Sequence, residues 1–200
     1  MGSTDGPPSN GIRTRRKIFH LLLGTLFIIS MITYGPFKWF FLAVLTTGVI
    51  LSLLQDRMDL PVITWFLDRY DKKDDSIPGQ GPLTFFFGAV LTWFLFPHDI
   101  AIMGLIVLTF GDPFAYLGGL SIGGPELHWN PEKRWVGMVC FMIVPLVLIT
   151  LLFGPIPAII ATMIGTIVES IKWPYRVITD DNVVIPLITS LGLFLIFLIV

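Results

Sequence analysis

Seven apolar runs, near 18–34, 37–54, 82–97, 99–120, 135–153, 155–171 and 183–200, are parted by short polar segments and leave little chain for a water-soluble core. About 20 apolar residues suffice to cross the hydrocarbon core as a helix, the form in which a single segment satisfies all its own backbone groups. The third and sixth runs are short for a crossing. The fourth either continues to residue 120 or stops near Phe110, its glycine-rich end then lying along the surface. Charged residues make up 14% of the chain, against about 25% in soluble domains, and mean hydropathy is +0.81. The fold class is therefore all-α: a polytopic membrane helix bundle of about seven transmembrane helices.

Charge fixes the orientation. With seven spans and a cytoplasmic N-terminus, every Lys and Arg except Lys38 falls on the cytoplasmic side, as the positive-inside bias requires. All the carboxylates except Asp99 fall there too. A transporter would instead place polar groups near mid-span. Arg13, Arg15, Arg16 and Lys17 precede the first span, which is too long for a signal peptide, has no clean small-x-small cleavage site and is followed at once by another span. Residues 1–12, rich in Gly, Ser, Pro and Asn, are expected to form a disordered tail, and 13–200 a single transmembrane domain. The loop 55–81 contains Leu60–Tyr70, which fits an interfacial amphipathic helix, then the charge cluster Asp71–Asp75 and a turn at Pro78-Gly79-Gln80-Gly81. A net charge of −1 without a basic stripe gives no case for nucleic acid. Cys140, alone in an apolar run, reads as a buried, inert thiol.

Four polar clusters on the cytoplasmic side could carry chemistry. Arg16, Lys17 and His20 share one face of the first helix, and His20 lies about a turn deeper than an anchor needs. Asp112 sits at the end of a membrane-grade apolar run, beside Gly111, Gly118 and Gly119. A carboxylate at that depth needs a cation, for which Mg²⁺ on nucleotide phosphates is suited, and the glycines would let backbone approach a phosphate. Helix packing is the competing reason for them. Lys133 and Arg134 could neutralise phosphate charge or serve as a juxtamembrane basic pair. Glu126, His128 and Glu132 read as a solvated loop rather than a metal set. Glu169, Asp181 and Asn182 offer oxygens from two span ends, suited to an octahedral ion, with helix capping the rival role for Asp180 to Asn182. No Walker sequence, GxGxxG, Ser-His-Asp pattern or GxSxG elbow is present.

In order along residues 16–188, these clusters resemble the family of CTP-dependent membrane lipid kinases that includes dolichol kinase, phytol kinase and a CTP-dependent diacylglycerol kinase. Its RKxxH falls on Arg16, Lys17 and His20; its PGxG on Pro78 to Gly81, before Phe85-Phe86-Phe87-Gly88; and its GDxxA…G on Gly111, Asp112, Ala115 and Gly119. Its K[ST]xxG falls on Lys133 to Gly137, and its E…DNxxxPL on Glu169, Asp181, Asn182, Pro186 and Leu187. Arg134 and Val136 depart from the usual Ser or Thr and Glu. The resemblance implies Mg²⁺-dependent transfer of the γ-phosphate of CTP to the hydroxyl of a membrane lipid alcohol, such as a polyprenol, dolichol, another isoprenoid alcohol or diacylglycerol. It implies catalytic roles for Asp112, Lys133, Asp181 and His20. Phosphate or nucleotide contacts fall to Arg16, Lys17, Gly111, Gly118, Gly119, Arg134 and Asn182, and metal contacts to Asp112, Glu169 and Asp181.

The rival enzyme reading is a cytidylyltransferase making a CDP-lipid. The rival from another class is a scaffold or small transporter, which predicts no nucleotide turnover. Small size with few appendages points to a prokaryotic plasma membrane, with the endoplasmic reticulum second.

Overall fold

The computed structural model of the chain describes residues 10–33, 38–55, 77–173 and 180–199, with Pro61, Thr64 and Trp65 between the second and third of these stretches. Most of the expected tail, the greater part of Leu60–Tyr70, all of Asp71–Asp75, and Arg57, Arg69, Lys72, Lys73 and Arg176 lie outside the described residues.

The helices are α1 (Asn10–Thr33), α2 (Lys38–Gln55), α3 (Gln80–Leu95), α4 (His98–Ser121), α5 (Trp135–Phe153), α6 (Pro155–Ser170) and α7 (Asp181–Ile199). They follow the seven apolar runs. Five are long and apolar enough to cross a membrane; α3 and α6 are shorter, at 16 residues each. At 1.5 Å per residue such a helix spans about 24 Å, less than a hydrocarbon core of about 30 Å. One end of each of these short helices, Gln80 and Ser170, borders the polar cluster described below. α1 begins at Asn10, three residues inside the stretch expected to be tail.

α4 is the centre of the bundle. Every residue from Ile100 to Thr109 is buried, as befits a helix apolar on all sides, and α1, α3, α5, α6 and α7 pack around it. α7 lies between α3 and α6, while α2 packs on the outside against α3. Among α2, Lys38 and α3, the Lys38 ammonium sits 5.2 Å from the Phe94 ring centre. Cys140 is a free, half-buried thiol on α5.

The expected fourth span is one helix from His98 to Ser121, not a span ending at Phe110, but it is not uniform. Val107–Gly111 is a π-helical turn, and Asp112 is the residue directly after it. Pro113 supplies a physical cause. It has no N–H for the carbonyl of Thr109 four residues back, and a local π-turn is a common way for a helix to absorb such a defect.

A second proline shapes α7. Pro186 lies inside that helix and cannot donate to the carbonyl of Asn182. Gly88 of α3 packs against this same stretch: a Cβ on Gly88 would lie 2.9 Å from the Cα of Val183 and 3.0 Å from the carbonyl carbon of Asn182. The small residue lets α3 meet α7 backbone to backbone, the device membrane helices use in place of a hydrophobic driving force. Gly88→Leu is therefore expected to wedge the two helices apart at a cost of roughly 1–3 kcal/mol. Thermal unfolding of the detergent-solubilised protein should register this as a lowered Tm, and an unchanged Tm would contradict the packing.

Candidate functional site

The polar residues singled out in the sequence arrive at one end of the bundle from α1, α3, α4, α6, α7 and a short hairpin between α4 and α5. The hairpin pairs β1 (Glu126–Leu127) with β2 (Asn130–Arg134), antiparallel. Glu126, His128 and Glu132, read as solvated, are exposed, though they stand on a hairpin and not on an irregular loop. The Asn130 amide and the Trp129 indole N–H both donate to the Ser170 carbonyl, at 3.2 and 3.1 Å, so β2 is moored to the end of α6. Glu132 meets Lys172 at 2.8 Å on the surface. Leu127 and Asn130 are buried beneath, and this mooring carries Lys133 inward.

Two ammonium groups organise the carboxylates. Lys17 donates to both oxygens of Asp112, at 2.6 and 2.5 Å, joining α1 to the residue after the π-turn. Asp112 is only 5% exposed, and a carboxylate at that burial requires such a partner. Lys133 hydrogen-bonds Glu169 and reaches Asp181 at 3.3 Å. Glu169 is 1% exposed while the Lys133 side chain is 23% and that of Asp181 38% exposed, so a solute arriving from water meets Asp181 and the lysine before Glu169. Burial alone would lower the Lys133 pKa, but the charges of Glu169, Asp181 and Asp112 outweigh it and raise the value above that of an ordinary lysine. Lys133 therefore stays a cation over the accessible pH range. Its coupling to Asp112 through space makes the two lysine groups one electrostatic cluster.

The remaining residues divide. Asn182 donates its amide to Thr84 at 3.1 Å and to the Gly81 carbonyl at 3.5 Å, which ties α7 to the start of α3. Asp180 is the α7 cap: its Oδ1 accepts from the Asn182 N–H at 2.9 Å. That leaves Asp181 free of the capping role and turned to Lys133. Arg16 lies over Gly81, where a Cβ would stand 2.6 Å from its Nη2; the preceding turn uses Gly79 at φ 76°. Arg134 donates to the Gly119 carbonyl at 3.3 Å. His20 packs its ring edge-on against Phe85, centre to centre 4.6 Å, and its Nε2 is buried with no hydrogen-bond partner among the described residues.

Two expectations are corrected. Gly111 and Gly118 form no phosphate cradle. A Cβ on Gly111 would lie 2.7 Å from the Phe141 ring, and one on Gly118 would strike Cys140, so both make room for α5. Both sit within a continuous helix whose N–H groups are engaged in it. Nor do Asp112, Glu169 and Asp181 form one three-carboxylate cage: among the described residues no group of three His, Cys, Asp or Glu side chains is placed to hold a metal. Asp112 is held by Lys17 and the other two by Lys133. Among the described residues Glu169 Oε2 is nonetheless buried with no hydrogen-bond partner, an exception to the usual pairing of buried polar atoms. Thr84 and the π-turn are not singled out by the sequence, and Phe85 is named there only as part of a motif, without its place against His20. Gln80 and Thr84, four apart at the start of an apolar run, were the available signal for the first.

Further along α3, Phe87, Val90, Leu91 and Phe94 face Leu42 and Leu45 of α2 across an apolar cavity of about 190 Å³.

The Lys133 group makes a stability prediction. Truncating one partner of a buried ion pair strands the other, which costs about 3–5 kcal/mol. Lys133→Ala should therefore lower the Tm sharply, and adding Glu169→Gln to it should recover most of the loss. Equal Tm values for the single and double variants would show that the pair is not buried as described.

No protein-family model matches the chain, and no solved structure does. Relatives named in full do match. A probable chloroplastic phytol kinase of Triticum aestivum is 27% identical over 210 residues, covering 91% of this chain and 67% of the relative. One from Oryza sativa subsp. japonica is 26% identical over 204 residues, 91% of this chain and 64% of its own. Phytol kinase 1 of Arabidopsis thaliana is 25% identical over 210 residues, 91% and 66%. The chain thus spans about two thirds of the length of these relatives. Their chloroplast names lend no support to the prokaryotic plasma membrane expected from size. With its five motifs in order and similarity over nine-tenths of its length, the chain is similar to the phytol kinases, in keeping with the membrane lipid kinase resemblance read from the sequence.

Proposed function

We propose that the protein transfers the γ-phosphate of a nucleoside triphosphate, CTP by family resemblance, to the hydroxyl of a membrane lipid alcohol of the isoprenoid class. The observation that carries this reading is the gathering of cations and carboxylates at one end of an apolar bundle. Phosphoryl transfer asks a protein mainly to position its reactants and to stabilise charge on the transferring group. Lys133, partly exposed and fixed as a cation, meets the phosphates before Glu169 does. Lys17, Arg16 and Arg134 add positive charge around it, and the Asn182 amide, held by Thr84, keeps α7 in register with α3. The open apolar groove between α2 and α3 would accept part of a hydrocarbon chain, and the relatives named phytol kinase favour an isoprenoid over a diacylglycerol acceptor.

Mg²⁺ fits the donor set in its usual form of one or two carboxylates completed by substrate phosphates and water. Glu169, through its unpartnered Oε2, and Asp181 would hold it; Asp112 stands with Lys17 on the other side. The ion would supply charge neutralisation across the phosphates. The residues supply the rest: Lys133 passes from carboxylate to phosphate, and Asp112 keeps Lys17 aligned.

Purified protein supplied with γ-labelled CTP, ATP or GTP, Mg²⁺, and either phytol, geranylgeraniol, dolichol or diacylglycerol should yield a labelled lipid monophosphate and the nucleoside diphosphate. With phosphatidate or an isoprenoid monophosphate as the acceptor instead, release of pyrophosphate with a CDP-lipid would replace this reading by the cytidylyltransferase one, and no turnover with any alcohol or lipid monophosphate would refute both. In the active pairing, Asp112→Asn should lower kcat at least about a hundredfold, in the range of one lost charge-stabilising group, while the protein stays monodisperse. Full activity in that variant would remove Asp112 from the machinery.

A further inference from the structure

Resting on the reading above, we infer that His20 is the receiving residue for the acceptor: the lipid alcohol hydroxyl binds Nε2 of His20, which takes its proton during transfer. Three observations place it there. Nε2 is buried yet has no hydrogen-bond partner among the described residues, and buried polar atoms are satisfied in the functioning protein. The ring's hydrogen bond to the Leu108 carbonyl therefore belongs to Nδ1, which fixes the proton on that nitrogen and leaves a lone pair on Nε2. The carbonyl that does this sits in the π-turn and also accepts the Asp112 N–H. Base and carboxylate are thus set by one backbone group.

The second observation is depth. His20 lies one turn further into the membrane than Arg16 and follows Lys17 by three residues on the same face of α1. A triphosphate held by Lys17 and Lys133 stays at the rim; a hydroxyl carried on a hydrocarbon chain comes from the apolar side. His20 is where the two approaches meet. The third is its surroundings: Phe85 of α3 walls the ring, and the charged groups acting on it are Asp112 on α4 and Lys17 and Arg16 on its own helix. A general base or hydroxyl anchor in such a setting is apolar on one side and electrostatically supported on the other.

In the step this implies, the alcohol O–H proton passes to Nε2 as the alcohol oxygen bonds to the γ-phosphorus. The bond from phosphorus to the β,γ-bridging oxygen breaks and the nucleoside diphosphate leaves. Asp112 offsets the imidazolium charge until the proton is lost to water.

The test uses the full chain in detergent micelles with geranylgeraniol or phytol. His20→Ala should lower kcat about a hundredfold or more, the usual reach of general-base catalysis, with the nucleotide KM within twofold of wild type. Added imidazole should restore part of the rate to His20→Ala but not to Asp112→Asn. His20→Gln, which keeps size and polarity but is no base, should stay slow. A rise in nucleotide KM at unchanged kcat would move His20 to the phosphate side and overturn the inference, as would wild-type rates in His20→Ala. Should His20→Ala fail to fold, the wild-type protein still decides. Irradiated with an isoprenoid alcohol bearing a diazirine next to its hydroxyl, it should be labelled on peptides containing His20 or Phe85, and labelling confined to other helices would overturn the placement. A wild-type protein that phosphorylates no lipid alcohol, yet is labelled at His20, would defeat the proposed function and leave the alcohol site standing.

Discussion

A carboxylate placed at bilayer depth must find a positive partner, and the cluster follows from that requirement. Asp112 and Glu169 are each almost fully buried, where an unpaired charge would cost several kcal/mol. Each is met by a lysine from a different element: Lys17 crosses from α1 to α4, and Lys133 from the hairpin to α6 and α7. The ion pairs are therefore also the ties that bring five separated elements, α1, α4, the hairpin, α6 and α7, to one place. A buried pair is weak as net stabilisation, but it is a strong constraint on register, because sliding any of these elements by a turn strands a charge.

Two prolines refine this frame in the same manner. Pro113 leaves the Thr109 carbonyl without its helical partner just before Asp112, and the helix widens into a π-turn. Pro186 does the same for Asn182, against which Gly88 then packs. In both cases the break in the ladder lies within one turn of a residue of the polar cluster. The prolines that follow Asp112 and Asn182 thus have a backbone effect apart from any chemistry of the polar side chains, each removing one helical hydrogen bond beside the cluster.

Much of the fold was legible because bilayer physics leaves few choices. An apolar run of sufficient length is a helix, and six of the seven lie within two residues of their expected bounds, while α1 starts eight residues before its apolar run, at Asn10. The cluster was legible in its membership, since Lys17, Asp112, Lys133, Glu169 and Asp181 stand out as ionisable groups in or beside apolar runs. What could not be read was partnership. Nothing in spacing says that Lys17 takes Asp112 while Lys133 takes Glu169, for those pairings are set by helix rotation. Gly111 and Gly118 misled for the opposite reason. A glycine permits close approach by a ligand or by a side chain equally, and only the position of Phe141 and Cys140 decides between them. The hairpin was missed because a two-residue strand carries no periodicity, and Asn130 and Trp129 reveal their role only once the Ser170 carbonyl is beside them.

The charge balance of the cluster bears on how a phosphate donor would be received. Lys17 and Lys133 are engaged by three carboxylates, so the cluster is closer to neutral than to a basic trap. A nucleoside triphosphate brings several negative charges, and beside Glu169 and Asp181 it would be repelled if it came alone. Accompanied by a divalent cation it presents a smaller net charge and offers the carboxylates a stronger partner than an ammonium. Lys133 would then be released toward the phosphates, where its rim position already puts it. The lysines hold the carboxylates in place, and a divalent cation bound there would make these acidic residues compatible with an anionic substrate.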